Sequence, residues 1–277
     1  MIDSHHHLWR YSEEEYPWIP KGSPLEGDHL AAELKAATEG TGVTGTVVVQ
    51  ARQMPEESDF LLSLADSSEQ ILGVVGWVPL VADDVAEHLD HYAPHPAFVG
   101  VRHVLQDEPD ALFTDDAFHR GLAQLPARDL AYDILLFQRQ LPAAIALVDR
   151  QPDMRFIIDH IAKPEVHPGR VEDGWRNGMR ELAAREHVVG VKFSGLATEF
   201  PDGSPIDRDT VRAYFEETLE IFGTDRVMFG TDWPVCLLRL DCYRQWVETV
   251  TDLASSLTED ERKALFTDNA TAAYKLT

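Results

Sequence analysis

Eight short apolar runs, set apart by polar stretches of helical spacing, constrain this chain more than any other feature. The runs are residues 2–7, 45–50, 72–78, 98–103, 131–137, 155–160, 189–194 and 226–230, rich in Val, Ile and Phe. Their length and composition predict buried strands. The stretches between them place apolar residues four apart. Residues 28–39 pair Leu30 with Leu34, 83–92 pair Val85 with Leu89, and 115–125 pair Phe118 with Leu122. Residues 141–150, 175–186, 207–222 and 243–255 repeat the pattern, and 259–266 follow Thr258 as an N-cap. No helix is assigned between the second and third runs.

Strand alternating with helix predicts βα units and a parallel sheet. Eight such units close most naturally into a single (β/α)8 barrel of the α/β class, spanning residues 1–277 as one domain. An open doubly wound sheet would more often have fewer strands and a glycine-rich first turn. Neither G-x-G-x-x-G nor a Walker phosphate loop follows the first run, so no nucleotide cofactor is expected. Residues 9–27, with several prolines and glycines, read as a long loop after the first strand. In a barrel such loops lie on the catalytic face.

Charge narrows the partners. The chain carries 48 acidic against 24 basic residues, a net charge of −24. Such a surface repels phosphate backbones and anionic lipids, so neither nucleic acid nor membrane is an expected partner. Cys236 and Cys242 are too few for a disulfide framework and are expected as free thiols. The start Met1-Ile2-Asp3 lacks a basic and apolar leader pattern, and no apolar stretch is long enough to cross a bilayer. The expected location is the cytoplasm.

Three strand ends carry chemistry. The first run reads Asp3-Ser4-His5-His6-His7. Alternate residues of a strand share a face, so His5 and His7 converge on one point while His6 faces away. Two imidazoles so placed suit a metal ion or a polarised carbonyl; ordinary polar residues are the competing reading. The sixth run ends in Asp159-His160, which puts His160 at the catalytic level unless it is merely a capping or core residue. The last run ends in Gly230-Thr231-Asp232-Trp233-Pro234. Asp232 is a candidate general base or metal ligand, or else a helix cap. Gly230 leaves room for a close approach. Strands one and eight are neighbours in a closed barrel, so His5, His7 and Asp232 should meet.

These motifs, Asp-x-His-x-His, Asp-His-x-x-Lys-Pro at 159–164 and Phe-Gly-Thr-Asp-Trp-Pro at 229–234, resemble the amidohydrolase superfamily. More narrowly the chain resembles its amidohydrolase-2 branch, which includes sugar lactonases of the L-fuconolactonase and L-rhamnonolactonase group. His5 to Trp9 and Tyr16-Pro17-Trp18 are similar to that group. The resemblance spans the chain and implies a barrel that hydrolyses a lactone ester, with His5, His7, His160 and Asp232 central. Binuclear members use a carboxylated lysine at a mid-barrel strand end. The run 131–137 has no lysine and leads into Gln138 and Arg139. At most one divalent ion is therefore expected, zinc first among the candidates, and some lactonases of this branch work without any.

Other residues complete the expectation. Arg102 and Lys192 interrupt apolar runs, where a cation needs an anionic partner. Substrate contacts and an internal ion pair are the two readings. Gln50 ends the second run and could bind a substrate hydroxyl. Trp9, Trp18 and Trp233 lie in mouth segments, where aromatic faces suit a sugar ring or anchor a core. The expected reaction is water attack on a lactone carbonyl, with Asp232 taking the proton. A metal-dependent decarboxylase or hydratase is the first alternative, and a non-catalytic sugar-acid binding protein the second. A homodimer through helical faces is a form such barrels often take.

Overall fold

The computed structural model describes residues 1–277. Its centre is one sheet of eight strands in chain order: β1 (Ile2–His6), β2 (Gly45–Val49), β3 (Ile71–Gly76), β4 (Phe98–Val104), β5 (Ala131–Leu135), β6 (Phe156–Ile158), β7 (Val188–Phe193) and β8 (Val227–Phe229). Every neighbouring pair is parallel. The ring closes just beyond the last strand. Asp232 N donates to His5 O at 2.8 Å, and His7 N donates to Trp233 O at 2.7 Å. The expected (β/α)8 barrel is therefore present, and its seam falls on four of the predicted site residues, His5, His7, Asp232 and Trp233.

The helices are α1 (Ala31–Thr38), α2 (Pro55–Ser67), α3 (Val85–Tyr92), α4 (Asp116–Leu122), α5 (Leu141–Asp149), α6 (Asp173–Ala183), α7 (Arg208–Phe222), α8 (Tyr243–Leu253), α9 (Glu259–Lys263) and α10 (Asn269–Tyr274). Their starts follow from side chains that satisfy free backbone N–H groups. Asp115 accepts from Phe118 N and Asp207 from Thr210 N, each at 2.9 Å. Thr258 caps α9 in a reciprocal pair with Glu261. No helix is long and apolar enough to cross a membrane.

Two elements were absent from the sequence reading. Helix α2 announces itself only by Pro55 in its first turn, followed by Glu56 and Glu57. It buries Leu61 and Leu62, but also Glu57 and Ser58, so its inner face is not an apolar stripe. Helix α10 packs Ala270, Ala273 and Tyr274 against interior residues Val47, Val49, Val75 and Ile157. It closes the N-terminal end of the barrel. Residues 9–27 form a loop with a small core of Trp9, Tyr16, Ile19 and Leu25. Two backbone bonds between Trp9 and His29, at 2.8 and 2.9 Å, pin its base. Arg52 ties it to the segment after β2 through Glu15 at 2.6 Å and Glu57 at 2.7 Å.

Candidate active site

The four residues expected at the centre are brought together at the C-terminal mouth. His5 and His7, two apart on β1, turn their Nε2 atoms to within 3.3 Å of each other. Asp232 Oδ1 lies 3.3 Å from His7 Nε2, 4.0 Å from His5 Nε2 and 3.8 Å from His160 Nε2. All four side chains are buried. Gly230 lets this happen: a Cβ there would stand 3.1 Å from the Cβ atoms of both His5 and Ser194.

His160 and Asp232 are aimed by unusual backbone. Strand β6 stops at Ile158, two residues short of the expected end. The chain then passes through His160, Ile161, Ala162 and Lys163, all at positive φ (52°, 47°, 59° and 41°). Left-handed backbone costs about 1–2 kcal/mol for each residue with a side chain. The turn is held by Trp175 Nε1 donating to Ile161 O at 2.7 Å, Lys163 N to His160 O at 2.9 Å and Gln138 N to Lys163 O at 3.3 Å. Asp232 is also left-handed, at φ 59°. It is fixed from below by Asp3, whose carboxylate accepts from Thr231 N (2.9 Å), Thr231 Oγ1 (2.6 Å), Tyr243 Oη (2.9 Å) and His5 N (3.1 Å).

Tautomers follow from the partners behind each ring. His7 Nδ1 can only donate to Val49 O, at 2.8 Å, which in the neutral tautomer turns the Nε2 lone pair to the site. His5 Nδ1 lies 3.2 Å from Asp159 Oδ1. Burial alone would raise Asp159, but Lys192, His5 and Arg102 hold its carboxyl well below the usual range. Donation from His5 Nδ1 to that carboxylate leaves His5 Nε2 as a second lone pair. Burial pulls His5 well below the ordinary imidazole range and His160 down to about 4, so both rings are neutral near pH 7. Asp232 is raised by burial, but His160, His7 and Lys163 more than reverse this and keep it ionised. Two imidazole nitrogens and a carboxylate thus face one point. That is the donor set of a divalent cation, and tetrahedral zinc with Zn–N bonds of about 2.0–2.1 Å separates its ligands by about 3.3 Å.

The remaining expected contacts divide. Lys192 stands behind His5, fully buried, with Nζ 2.9 Å from Asp159 Oδ1, 2.5 Å from Asp133 Oδ2 and 3.1 Å from His5 Nδ1. Arg102 donates to Asp159 Oδ2 at 3.0 Å and to Gln50 O, and its Nη1 also lies 3.3 Å from His5 Nε2. Both cations therefore have the internal ion-pair geometry, because each is enclosed by acceptors below the mouth. Gln50 donates to Arg102 O at 3.3 Å and leaves a buried Oε1 with no partner. Trp9 is fully buried in the small loop core, its indole donating to Gly27 O at 3.1 Å. Trp233 is buried edge-to-face against His29, and Trp18 is exposed. Asp133, Asp159, Lys163 and Ser194 escaped the sequence reading as site residues. The signal for Asp133 was available: a carboxylate inside an apolar run is the natural partner for Lys192 inside another.

This barrel and this mouth define an amidohydrolase. The chain belongs to that family: the family model described as Amidohydrolase matches residues 2–276. Among relatives, an L-fucono-1,5-lactonase of Burkholderia multivorans is 40% identical over 99% of this chain and 96% of its own length. An L-fucono-1,5-lactonase of Burkholderia ambifaria is 34% identical over 99% and 95%. A crystal structure of an amidohydrolase from Burkholderia multivorans with bound zinc aligns at TM-score 0.94 and 38% identity, covering 100% of this chain and 99% of that one.

Proposed function

We propose that residues 1–277 form one catalytic unit that hydrolyses a sugar lactone, with L-fucono-1,5-lactone the first candidate substrate. The observation that carries this reading is the convergence of His5, His7, His160 and the ionised Asp232 within 4.0 Å contacts at the barrel mouth. The whole-length similarity to two L-fucono-1,5-lactonases supports the substrate class and disfavours the decarboxylase or hydratase alternative.

In this mechanism Asp232 accepts a proton from the attacking water as it adds to the lactone carbonyl, and returns it to the ring oxygen as the acyl C–O bond breaks, leaving one carboxylic acid and one hydroxyl; Asp232 is the ionised group where the imidazoles converge. Its left-handed backbone and the Asp3–Thr231 bonds hold it there before substrate arrives. His160, braced by Ser194 Oγ at 2.9 Å, faces the same carboxylate and donates toward the lactone carbonyl oxygen or shares in holding the ion. His5, His7 and Asp232, joined by His160, would hold one divalent ion, zinc first among candidates, which would supply Lewis acidity at the carbonyl. A second ion at His5, Asp159 and His160 is disfavoured, since Asp159 already faces Lys192 and Arg102. Gln50 Oε1, a buried acceptor without a partner, is the proposed receiver of a substrate hydroxyl. Trp9 and Trp233 shape the rim from behind.

A pH-indicator assay across aldonolactones, with and without prior chelation, tests the reading. Acid release from L-fucono-1,5-lactone that falls on chelation and returns with zinc is the expected result. No release from any lactone would overturn it. Release unaffected by chelation would remove the ion and keep the lactonase.

A further inference from the structure

A buried polar column connects the N-terminal end of the barrel to His5. Tyr274, in the last turn of α10, places its Oη 2.9 Å from Asp133 Oδ1 and 2.7 Å from Oδ2 and donates to that carboxylate. Asp133 on β5 faces Lys192 Nζ at 2.5 Å, and the same Nζ lies 5.3 Å from the centroid of the Tyr274 ring. Lys192 on β7 in turn meets Asp159 Oδ1 at 2.9 Å and His5 Nδ1 at 3.1 Å. Every side chain of the column is buried.

His5 Nδ1 is therefore contested. Asp159 Oδ1, at 3.2 Å, can accept its proton, while Lys192 Nζ, at 3.1 Å, can donate to its lone pair. The first contact keeps the proton on Nδ1 and turns the Nε2 lone pair to the site. The second moves the proton to Nε2, which lies 3.3 Å from His7 Nε2, and closes that point to an ion. Arg102 Nη1, a donor only, lies 3.3 Å from Nε2 and favours the first. The outcome turns on which way the Lys192 ammonium leans. Asp133 makes the shortest contact with it, from the side of α10, and Tyr274 fixes Asp133 in place.

We propose that Asp133 and Tyr274 are positioning residues that select the tautomer of His5. By drawing the Lys192 ammonium to itself, Asp133 leaves Asp159 free to take the Nδ1 proton. The selection is made by the protein itself, before an ion or substrate enters. This rests on the reading above in which His5 serves the site through Nε2.

The test uses metal-free protein labelled with nitrogen-15: wild type, Asp133→Asn, Tyr274→Phe and Ala273→Gly, all at a temperature where circular dichroism shows each folded. Long-range proton–nitrogen spectra tell the protonated imidazole nitrogen from the bare one, and loss of a signal in His5→Gln assigns it. Zinc affinity is measured on the same samples by competition with a chelator. Wild type is expected to carry the proton on Nδ1. Asp133→Asn shifts it toward Nε2 and weakens zinc binding about tenfold or more, and Tyr274→Phe does the same about threefold or more. Ala273→Gly loosens α10 and lowers the melting temperature, yet leaves tautomer and affinity as in wild type. A proton on Nε2 in wild type, a proton that stays on Nδ1 in Asp133→Asn, or an equal shift in Ala273→Gly would overturn the proposal. If Asp133→Asn does not fold, an unshifted tautomer in Tyr274→Phe overturns it alone. Failure of the ion reading looks different: wild type binds no zinc, and the spectra still decide the tautomer.

Discussion

Asp232 illustrates how a single residue is set by its surroundings. In the proposed mechanism its carboxylate must be ionised to take a proton, and burial is outweighed there by His160, His7 and Lys163, which hold it below the usual carboxylate range. Asp232→Asn keeps the shape and removes the base. We expect turnover to fall by about a thousandfold or more with the melting temperature nearly unchanged, read by lactone assay and circular dichroism. His6 carries the opposite lesson. It faces away from the site, is fully buried, and neither ring nitrogen has a partner. Burial pulls its pKa from 6.5 down to about 3. A depressed histidine pKa means the unfolded chain binds the proton more tightly, so stability is intact above 6.5 and is lost as pH falls toward 3. Between pH 7.5 and pH 5, urea melts should shift in favour of His6→Met over wild type by about 2 kcal/mol. An unchanged difference at the two pH values would refute a buried, neutral His6.

At the level of elements, the strands were legible and the turns were not. Apolar runs report burial, so eight strands and most helices could be read from residue type and period. Helix α2 was hidden because its inner face includes Glu57, whose carboxylate is satisfied by Ala51 N and Arg52 only in the folded chain. His5, His7, His160 and Asp232 were legible because strand ends in a barrel share a level. The pairing of Lys192 with Asp133 was legible only in that each interrupts an apolar run; its third member, Asp159, lies in the turn just past β6, and that contact depends on closure. No residue pattern announces four left-handed residues without glycine at 160–163. The neighbouring glycine is the element's weak point. Gly195 sits at φ 68°, and a Cβ there would come within 2.6 Å of His160 Nδ1. Gly195→Ala should therefore lower kcat/KM about tenfold or more, since small displacements of a positioned group are costly in rate. Steady-state kinetics at wild-type level would show that the imidazole is not held by this contact. At the other end of the barrel, Tyr274 of α10 donates to Asp133 Oδ1 at 2.9 Å and Oδ2 at 2.7 Å. Tyr274→Phe leaves that buried carboxylate short of a donor and should destabilise the fold by about 1–3 kcal/mol in denaturant melts.

At the scale of the whole molecule, a net charge of −24 opposes compactness through self-repulsion. Salt screens such repulsion, so raising sodium chloride from about 50 mM to about 500 mM should raise the melting temperature. A flat or falling response would mean that the surface ion pairs outweigh the net charge. The same scale gives meaning to the seam of the barrel. β1 and β8 meet through two backbone bonds, and these involve His5, His7, Asp232 and Trp233. The residues that make the ring a ring are the ones that make the centre a centre. A chain lacking either flank of the seam carries half of the proposed site, and no partly wound intermediate is expected to turn over substrate. Catalysis is thus a report of circularity: the first appearance of activity during refolding should mark the moment at which the last strand finds the first.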